Sequence, residues 1–354
     1  MLNPKARAEA FCQRFGLRVP ILMAPMAGSC PPELAIAVAA AGGMGACGAL
    51  HMKPDAVAAW AGRMRAASNG AFQINLWIPD PPPRRDPVHE AEVRQFLGEW
   101  GPPVAAEAGD AGLPDFAAQC EALLAAGPAV ISSIMGLYPP EFVARFKERG
   151  IAWFATVTTV AEALAAEAAG ADVVVAQGAE AGGHRGAFDA NAAERQAVGL
   201  FALLPAVVDA VRLPVVATGG IADGRGVAAA LLLGASAAQI GSGLLRSPEA
   251  AIDPVWAAAL GTTRPEDTVV TRAFSGRAGR GVATSYTAAA AAGPAPAPYP
   301  VQRGLTAPMR AAGKEARDLQ RMQAWAGQAA WLGREEPAAV AVRRIWDEAS
   351  ALLG

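Results

Sequence analysis

Eight short apolar runs set the frame: 20–24 (PILMA), 43–47 (GMGAC), 71–76 (AFQINL), 129–132 (AVIS), 151–156 (IAWFAT), 172–176 (DVVVA), 214–218 (PVVAT) and 237–240 (AAQI). Alanine-rich stretches separate them, at 33–41, 54–66, 139–149, 160–169, 197–211 and 224–233. In those stretches apolar residues recur every three or four positions, the spacing of a helix with one buried face. Strand and helix in alternation predict βα units around a parallel sheet. Eight strands predict closure into an α/β fold of the (β/α)8, TIM-barrel type. Ser29 ahead of Pro31, Pro32 and Glu33, and Thr159 three residues before Glu162, read as helix starts. Gly170 and Gly234 stand where a helix stop must accept positive φ. The units AEALAAEAAGADVVVAQG and GRGVAAALLLGASAAQIGS share helix, glycine stop and buried strand, a weak internal echo.

Two segments break the rhythm. Residues 78–113 form a proline-rich insertion with a helix expected near 88–99, a surface excursion or lid. Residues 286–300 (YTAAAAAGPAPAPYP) read as an extended connector, and 306–333 as helix again. The expected organisation is a barrel over 1–245, carrying the insertion, and a C-terminal helical cap over 246–354.

Composition narrows the partners. A net charge of -2 provides no basic field for nucleic acid or an anionic membrane. Hydrophobic residues make up 53% of the chain, yet the excess is alanine and no apolar run reaches a bilayer span. The charged N-terminal segment lacks a secretory core, so a cytoplasmic protein acting on small molecules, as monomer or homodimer, is expected. Cys12, Cys30, Cys47 and Cys120 lack metal or disulfide spacing and read as buried or half-buried free thiols.

Catalytic groups of such barrels sit on the loops after the strands. The loops after the seventh and eighth strands, ATGGIADGRG and QIGSGLL, carry Gly219, Gly220, Gln239, Ile240, Gly241 and Ser242. Glycines there let backbone N–H groups approach an anion, so the pair predicts a phosphate cradle, although either loop alone could merely turn the chain. Ala24, Pro25 and Met26 leave backbone free to lie against a flat ring. Asn75 and Gln177 either bond the polar edge of a flavin or cap their strands. No GxGxxG follows the first strand, so a built-in dinucleotide fold is not supported.

The segments ILMAPMAG, QGAEAGGHRGAF, VVATGGIADGRGVAAALLLGASAAQIGS, FSGRAGRG and AWAGQAAWL resemble the nitronate monooxygenases, class I above all, from about residue 15 to residue 333. The resemblance implies an FMN-dependent, metal-free barrel. Such an enzyme oxidises alkyl nitronates, notably propionate 3-nitronate, with O2 to an aldehyde or oxo acid and nitrite. It implies FMN contacts at Ala24, Pro25, Met26, Asn75, Gln177, Gly182, Gly219, Gly220 and Gln239 to Ser242. It makes His184 the signature histidine and Tyr299, with Arg303, the residues closing the substrate pocket. An NAD(P)H-dependent FMN reductase, acting on an enoyl-thioester or quinone, is the alternative.

Gly182 and Gly183 would let the loop pass close to the flavin, bringing the imidazole over it. With an ordinary pKa near 6.5, that imidazole could remove a proton from a nitroalkane or hydrogen-bond a nitronate. Glu180 either orients the loop or forms a surface ion pair, and Arg185 either attracts an anion or pairs with a surface acid. His51 is a lesser pocket candidate, and His89 is expected in solvent. Ser275 to Gly281 either anchors the cap, approaches the phosphate or packs at the surface. Trp325 and Trp331 read as one helical packing face.

Overall fold

A computed structural model describes residues 3–110 and 112–354; residue 111 of the insertion and residues 1–2 of the barrel segment lie outside the described residues. The strands are β1 (Ile21–Met23), β2 (Gly45–Gly48), β3 (Phe72–Trp77), β4 (Val130–Ile134), β5 (Ala152–Val157), β6 (Val173–Gln177), β7 (Gly183–His184), β8 (Val215–Thr218), β9 (Ala237–Ile240), β10 (Thr268–Thr271) and β11 (Gly279–Val282). Eight of them form one parallel sheet in the order β1-β9-β8-β6-β5-β4-β3-β2. Its two edges meet where Met23 N donates to Met44 O at 2.9 Å and Met44 N to Ile21 O at 3.1 Å, so the sheet is a nearly closed TIM-like barrel. All eight expected strands are present, displaced by no more than two residues at either end.

One end of the barrel is plugged by a helix that the apolar rhythm did not include, Pro4–Phe15. Its signals are local: Asn3 caps Lys5 N, proline opens the first turn, and Gly16 ends it at φ 67°. Phe11 and Phe15 pack on Phe154 of β5, with ring centroids 6.1 and 5.0 Å apart. Leu22, Met44, Val173 and Val216 complete this apolar floor.

The outer helices begin and end near their expected limits, with two differences in how they are capped. Ser29 does not cap Pro32–Ala41; Pro31 holds that position without a side-chain bond, and Ser29 instead lines a cavity. Thr159 does accept from Glu162 N at 3.1 Å, but the Glu162 carboxylate turns to the amides of Thr158 and Phe188, so the reciprocal bond of a capping box is missing. Gly170 and Gly234 adopt φ of 92° and 110°, as a helix stop requires.

Beyond β9 the chain crosses the opposite mouth. The insertion helix Pro87–Gly98 is no loose excursion: Val93 and Leu97 share an apolar cluster with Phe274, Tyr286, Leu305 and Met309. His89 is half-buried rather than solvated, its Nε2 lying 2.7 Å from Ala295 O. The expected connector 286–300 begins as a helix, Ser285–Ala292, because its alanines favour one and Thr284 and Thr287 cap each other reciprocally. The expected helix 306–333 stops at Glu315. Residues 323–327 run extended because β11 recruits them: Val282 N donates to Ala324 O at 2.9 Å, and Gly281 bridges Trp325. The last helix, Ala338–Leu352, returns to the barrel wall between Pro32–Ala41 and Gly224–Leu232. A Cβ at Gly224 would stand 2.6 Å from Ala349 N, so glycine permits that approach.

Candidate active site

A cavity of about 340 Å³ opens at the C-terminal ends of the strands beneath the crossing segments. Every residue assigned from the sequence to cofactor or substrate lines it, apart from Ile240. The exception follows from strand alternation: with Gln239 and Gly241 turned inward, Ile240 is fully buried among the residues of the outer core. Only its carbonyl is used, accepting from Ala24 N at 2.8 Å.

The loop 177–186 is fixed at both ends. The amide of Gln177 brackets it, with Nε2 donating to His184 O at 3.1 Å and Oε1 accepting from Gly186 N at 2.8 Å. Arg185 is buried and donates to the carbonyls of Gly178 and Gln177, so it meets neither a surface acid nor the cavity. Glu180 orients the loop, accepting from Leu200 N at 2.9 Å at the start of helix Leu200–Ala210. From the other side, β7 pairs antiparallel with β11, His184 opposite Gly279 and Gly183 opposite Arg280.

The two glycines before His184 have different causes, and neither needs a flavin. Gly183 has open space around it but sits at φ 74°, a conformation most side chains resist. At Gly182 a Cβ would meet the Ala326 carbonyl carbon at 2.6 Å and Ser242 Oγ at 2.8 Å. The loop is therefore pressed against the extended 324–328 segment, where Gln328 N donates to Glu180 O at 3.0 Å.

His184 projects between two indoles. Trp77 lies edge-on at 4.7 Å and Trp325 at 4.9 Å. Trp325 thus belongs to the site rather than to a helical face shared with Trp331, which is 47% exposed. Glycines at 279 and 281 make room for its ring, since a Cβ at Gly279 would stand 2.9 Å from Trp325 Cη2. Nε2 of His184 lies 2.7 Å from Ser275 Oγ, and that hydroxyl reaches Arg277 O at 3.2 Å. With the hydroxyl proton on Arg277 O, Nε2 carries the ring hydrogen and donates; with that proton aimed at Nε2, the ring hydrogen sits on Nδ1 and is free for a ligand. The 275–281 segment anchors the crossing chain: Arg277 pairs with Asp80 at 3.1 Å, and Arg280 donates to Ala179 O at 3.0 Å.

Charge in the cavity is one-sided. His51, Arg303 and Arg310 line it, with no aspartate or glutamate among its lining residues. Arg310 donates only to neutral oxygens of Thr306, Gln323 and Arg303. Burial, helped by Arg303, lowers its pKa to about 10, so it stays charged at neutral pH. Burial pushes His184 down to about 3, with Arg277, His51 and Arg303 adding to the shift. The expected near-neutral titration is corrected accordingly: this imidazole is uncharged at working pH. His51 is pushed down to about 4 by the surrounding protein and by Arg303 and Arg310.

Alternation along β3 brings in residues that the sequence argument passed over. Gln73 and Trp77 share the inward face of Asn75, and Gln73 Nε2 donates to Met23 O and Gln239 Oε1, each at 3.2 Å. Asn75 Nδ2 donates to Ser132 Oγ at 3.1 Å. Arg310 and Gln323 carry no local signal and reach the site only through the crossing chain, whereas Ser275 lies in the segment the sequence singles out. Among the described residues, no group of acidic, histidine or cysteine side chains could hold a metal ion. No helix is long and apolar enough to cross a membrane.

A model of the nitronate monooxygenase family matches residues 10–347. A nitronate monooxygenase of Paraburkholderia phytofirmans is 38% identical over 95% of this chain and 94% of its own. One of Pseudomonas aeruginosa is 36% identical over 96% and 99%. Among solved structures, a nitroalkane oxidase of Streptomyces ansochromogenes superposes with a TM-score of 0.86 at 37% identity, covering 97% of this chain and 98% of its own. FabK of Thermotoga maritima superposes less well, at 0.73 and 27% identity, over 97% and 96%. Matched from end to end by sequence and by fold, this chain belongs to the nitronate monooxygenase family of oxidoreductases.

Proposed function

We propose that this protein is an FMN-dependent enzyme that oxidises alkyl nitronates, such as propionate 3-nitronate, with O2 to an aldehyde or oxo acid and nitrite. The observation that carries the reading is a cavity lined by two arginines and no acid, facing an uncharged histidine. A nitronate is an anion, and such a lining attracts it while leaving a neutral nitroalkane without a partner. A base whose conjugate acid has a pKa near 3 is a poor acceptor for a carbon-bound proton. His184 is therefore assigned to holding the nitronate through a neutral Nδ1–H, the tautomer set when the Ser275 hydroxyl donates to Nε2.

FMN fits the remaining polar groups. Gln73 Oε1 is a buried acceptor without a partner, suited to a ring N–H of the isoalloxazine. Among the described residues no backbone carbonyl accepts from the amides of Gly219, Gly220, Gly241 or Ser242, as a phosphate cradle requires. Gln239 and Asn75 would face the ring edge, and the Ala24–Met26 backbone its flat side. When bound, FMN supplies an acceptor for electrons from the nitronate that O2 can reoxidise. Trp77, Trp325 and Tyr299 exclude water from the reacting atoms. In this reading residues 1–245 are the flavin barrel, residues 246–354 close over it, and the enzyme works in the cytoplasm.

The test is an absorbance spectrum of the purified protein, followed by O2 consumption with propionate 3-nitronate and no NADH. A flavin spectrum and nitrite release support the proposal. Protein that neither carries nor takes up FMN, or turnover that needs NAD(P)H as in the reductase alternative, overturns it.

A further inference from the structure

A second cavity of about 220 Å³ adjoins the first and shares Leu50, Trp77 and Tyr299 with it as common walls. Its far side is apolar, built by Ile78, Pro79, Leu113, Pro114 and Phe116. The polar groups on its rim are already committed. Arg277 holds Asp80 at 3.1 Å and Ala187 O at 2.9 Å, while Gln119 Nε2 donates to Ala49 O and Met52 O, each at 3.0 Å. What remains for a ligand is hydrocarbon surface, and the Asp80 carboxylate disfavours a second anionic group.

Tyr299 stands between the two cavities. Its hydroxyl is buried without a hydrogen-bond partner, and its ring lies 5.6 Å from that of Trp77. Packing alone holds this partition, so turning it aside breaks no hydrogen bond. We propose that the second cavity is a subsite for the unbranched apolar tail of longer alkyl nitronates, entered past Tyr299 from the anion-binding head site. The proposal rests on the nitronate-oxidising reading and names the substrate class that reading leaves open.

The experiment measures kcat/KM for the ethyl, butyl and hexyl nitronates, with wild type, Leu113→Trp and Leu113→Ala, at several O2 concentrations. Leu113 lines the second cavity and not the first. In the wild type kcat/KM rises with tail length, by up to about fourfold per buried methylene. Leu113→Trp fills the subsite, lowering hexyl nitronate about tenfold or more while ethyl nitronate stays within about twofold. Leu113→Ala retains the preference for long tails, which separates filling of the cavity from damage to the fold. A flat or falling length series with ethyl nitronate still oxidised overturns the subsite alone. So does an equal loss on all three substrates with a raised KM for O2, which would make the cavity an oxygen passage. An enzyme inert toward every nitronate removes the reading beneath the proposal and the subsite with it.

Discussion

The two mouths of the barrel are made by the same strands and could hardly differ more. At one, Phe11 and Phe15 lie on Phe154, and Leu22, Met44 and Val216 fill the floor with hydrocarbon. At the other, the strands turn Gln73, Asn75, Gln177 and Gln239 inward, glycine loops hold amides free, and two arginines face an acid-free cavity. The contrast teaches where this chain spends stability and where it stores chemistry. The floor contributes burial, whereas the upper rim keeps polar groups unpaired within the protein and open to a ligand.

The comparison can be broken from either end. The largest effect belongs to the floor: Phe11→Ala removes a nearly inaccessible ring and should cost about 3–5 kcal/mol of stability in denaturant unfolding. Turnover per folded molecule should stay near wild type. A loss of turnover at full stability would mean that the floor is coupled to the chemistry. At the rim, His184→Asn should keep the flavin and lower kcat on nitronates by about 10²–10³-fold, as removal of an oriented donor does elsewhere. A loss confined to neutral nitroalkanes would restore a proton-abstracting role.

Smaller effects sharpen the picture. Gly182→Val forces the loop off the Ala326–Gly327 backbone and should cost about 1–3 kcal/mol, with turnover falling because His184 moves. Arg303→Met should raise KM for nitronates about tenfold and leave the flavin spectrum unchanged. An unchanged KM would take Arg303 out of anion binding. A separate effect is linkage. His184 has a folded pKa near 3, below its unfolded value, so the unfolded chain binds a proton that the folded chain refuses between about pH 6.5 and 3. Stability contributed by this group is therefore complete above about pH 6.5 and lost as pH falls through that window, and His184→Asn should flatten the acid slope of the unfolding curve.

The floor and the rim also differ in how legible they were. The barrel strands could be read because each is a short apolar run bounded by turn residues, and the strand ends then named most of the cavity lining. Gln73 and Trp77 were legible in principle, since period two around Asn75 turns them the same way. Trp325 was not. Its sequence neighbourhood spells helix, and only pairing of 324–326 with β11 pulls it beside His184. The Gly182–Gly183 pair shows the same limit: the sequence signals a conformational demand, and the fold reveals that one glycine answers φ and the other a neighbouring backbone. Burial of His184 was equally hidden, because the crossing chain that desolvates it is remote in sequence.

The central claim is that an uncharged imidazole receives a substrate already anionic, and kcat/KM for a preformed nitronate as a function of pH tests it most directly, since that ratio reports the free enzyme. After correction for protonation of the nitronate itself, the profile should show no enzyme ionisation between about pH 5 and 8. A limb with a pKa near 6.5 that disappears in His184→Asn would contradict the account.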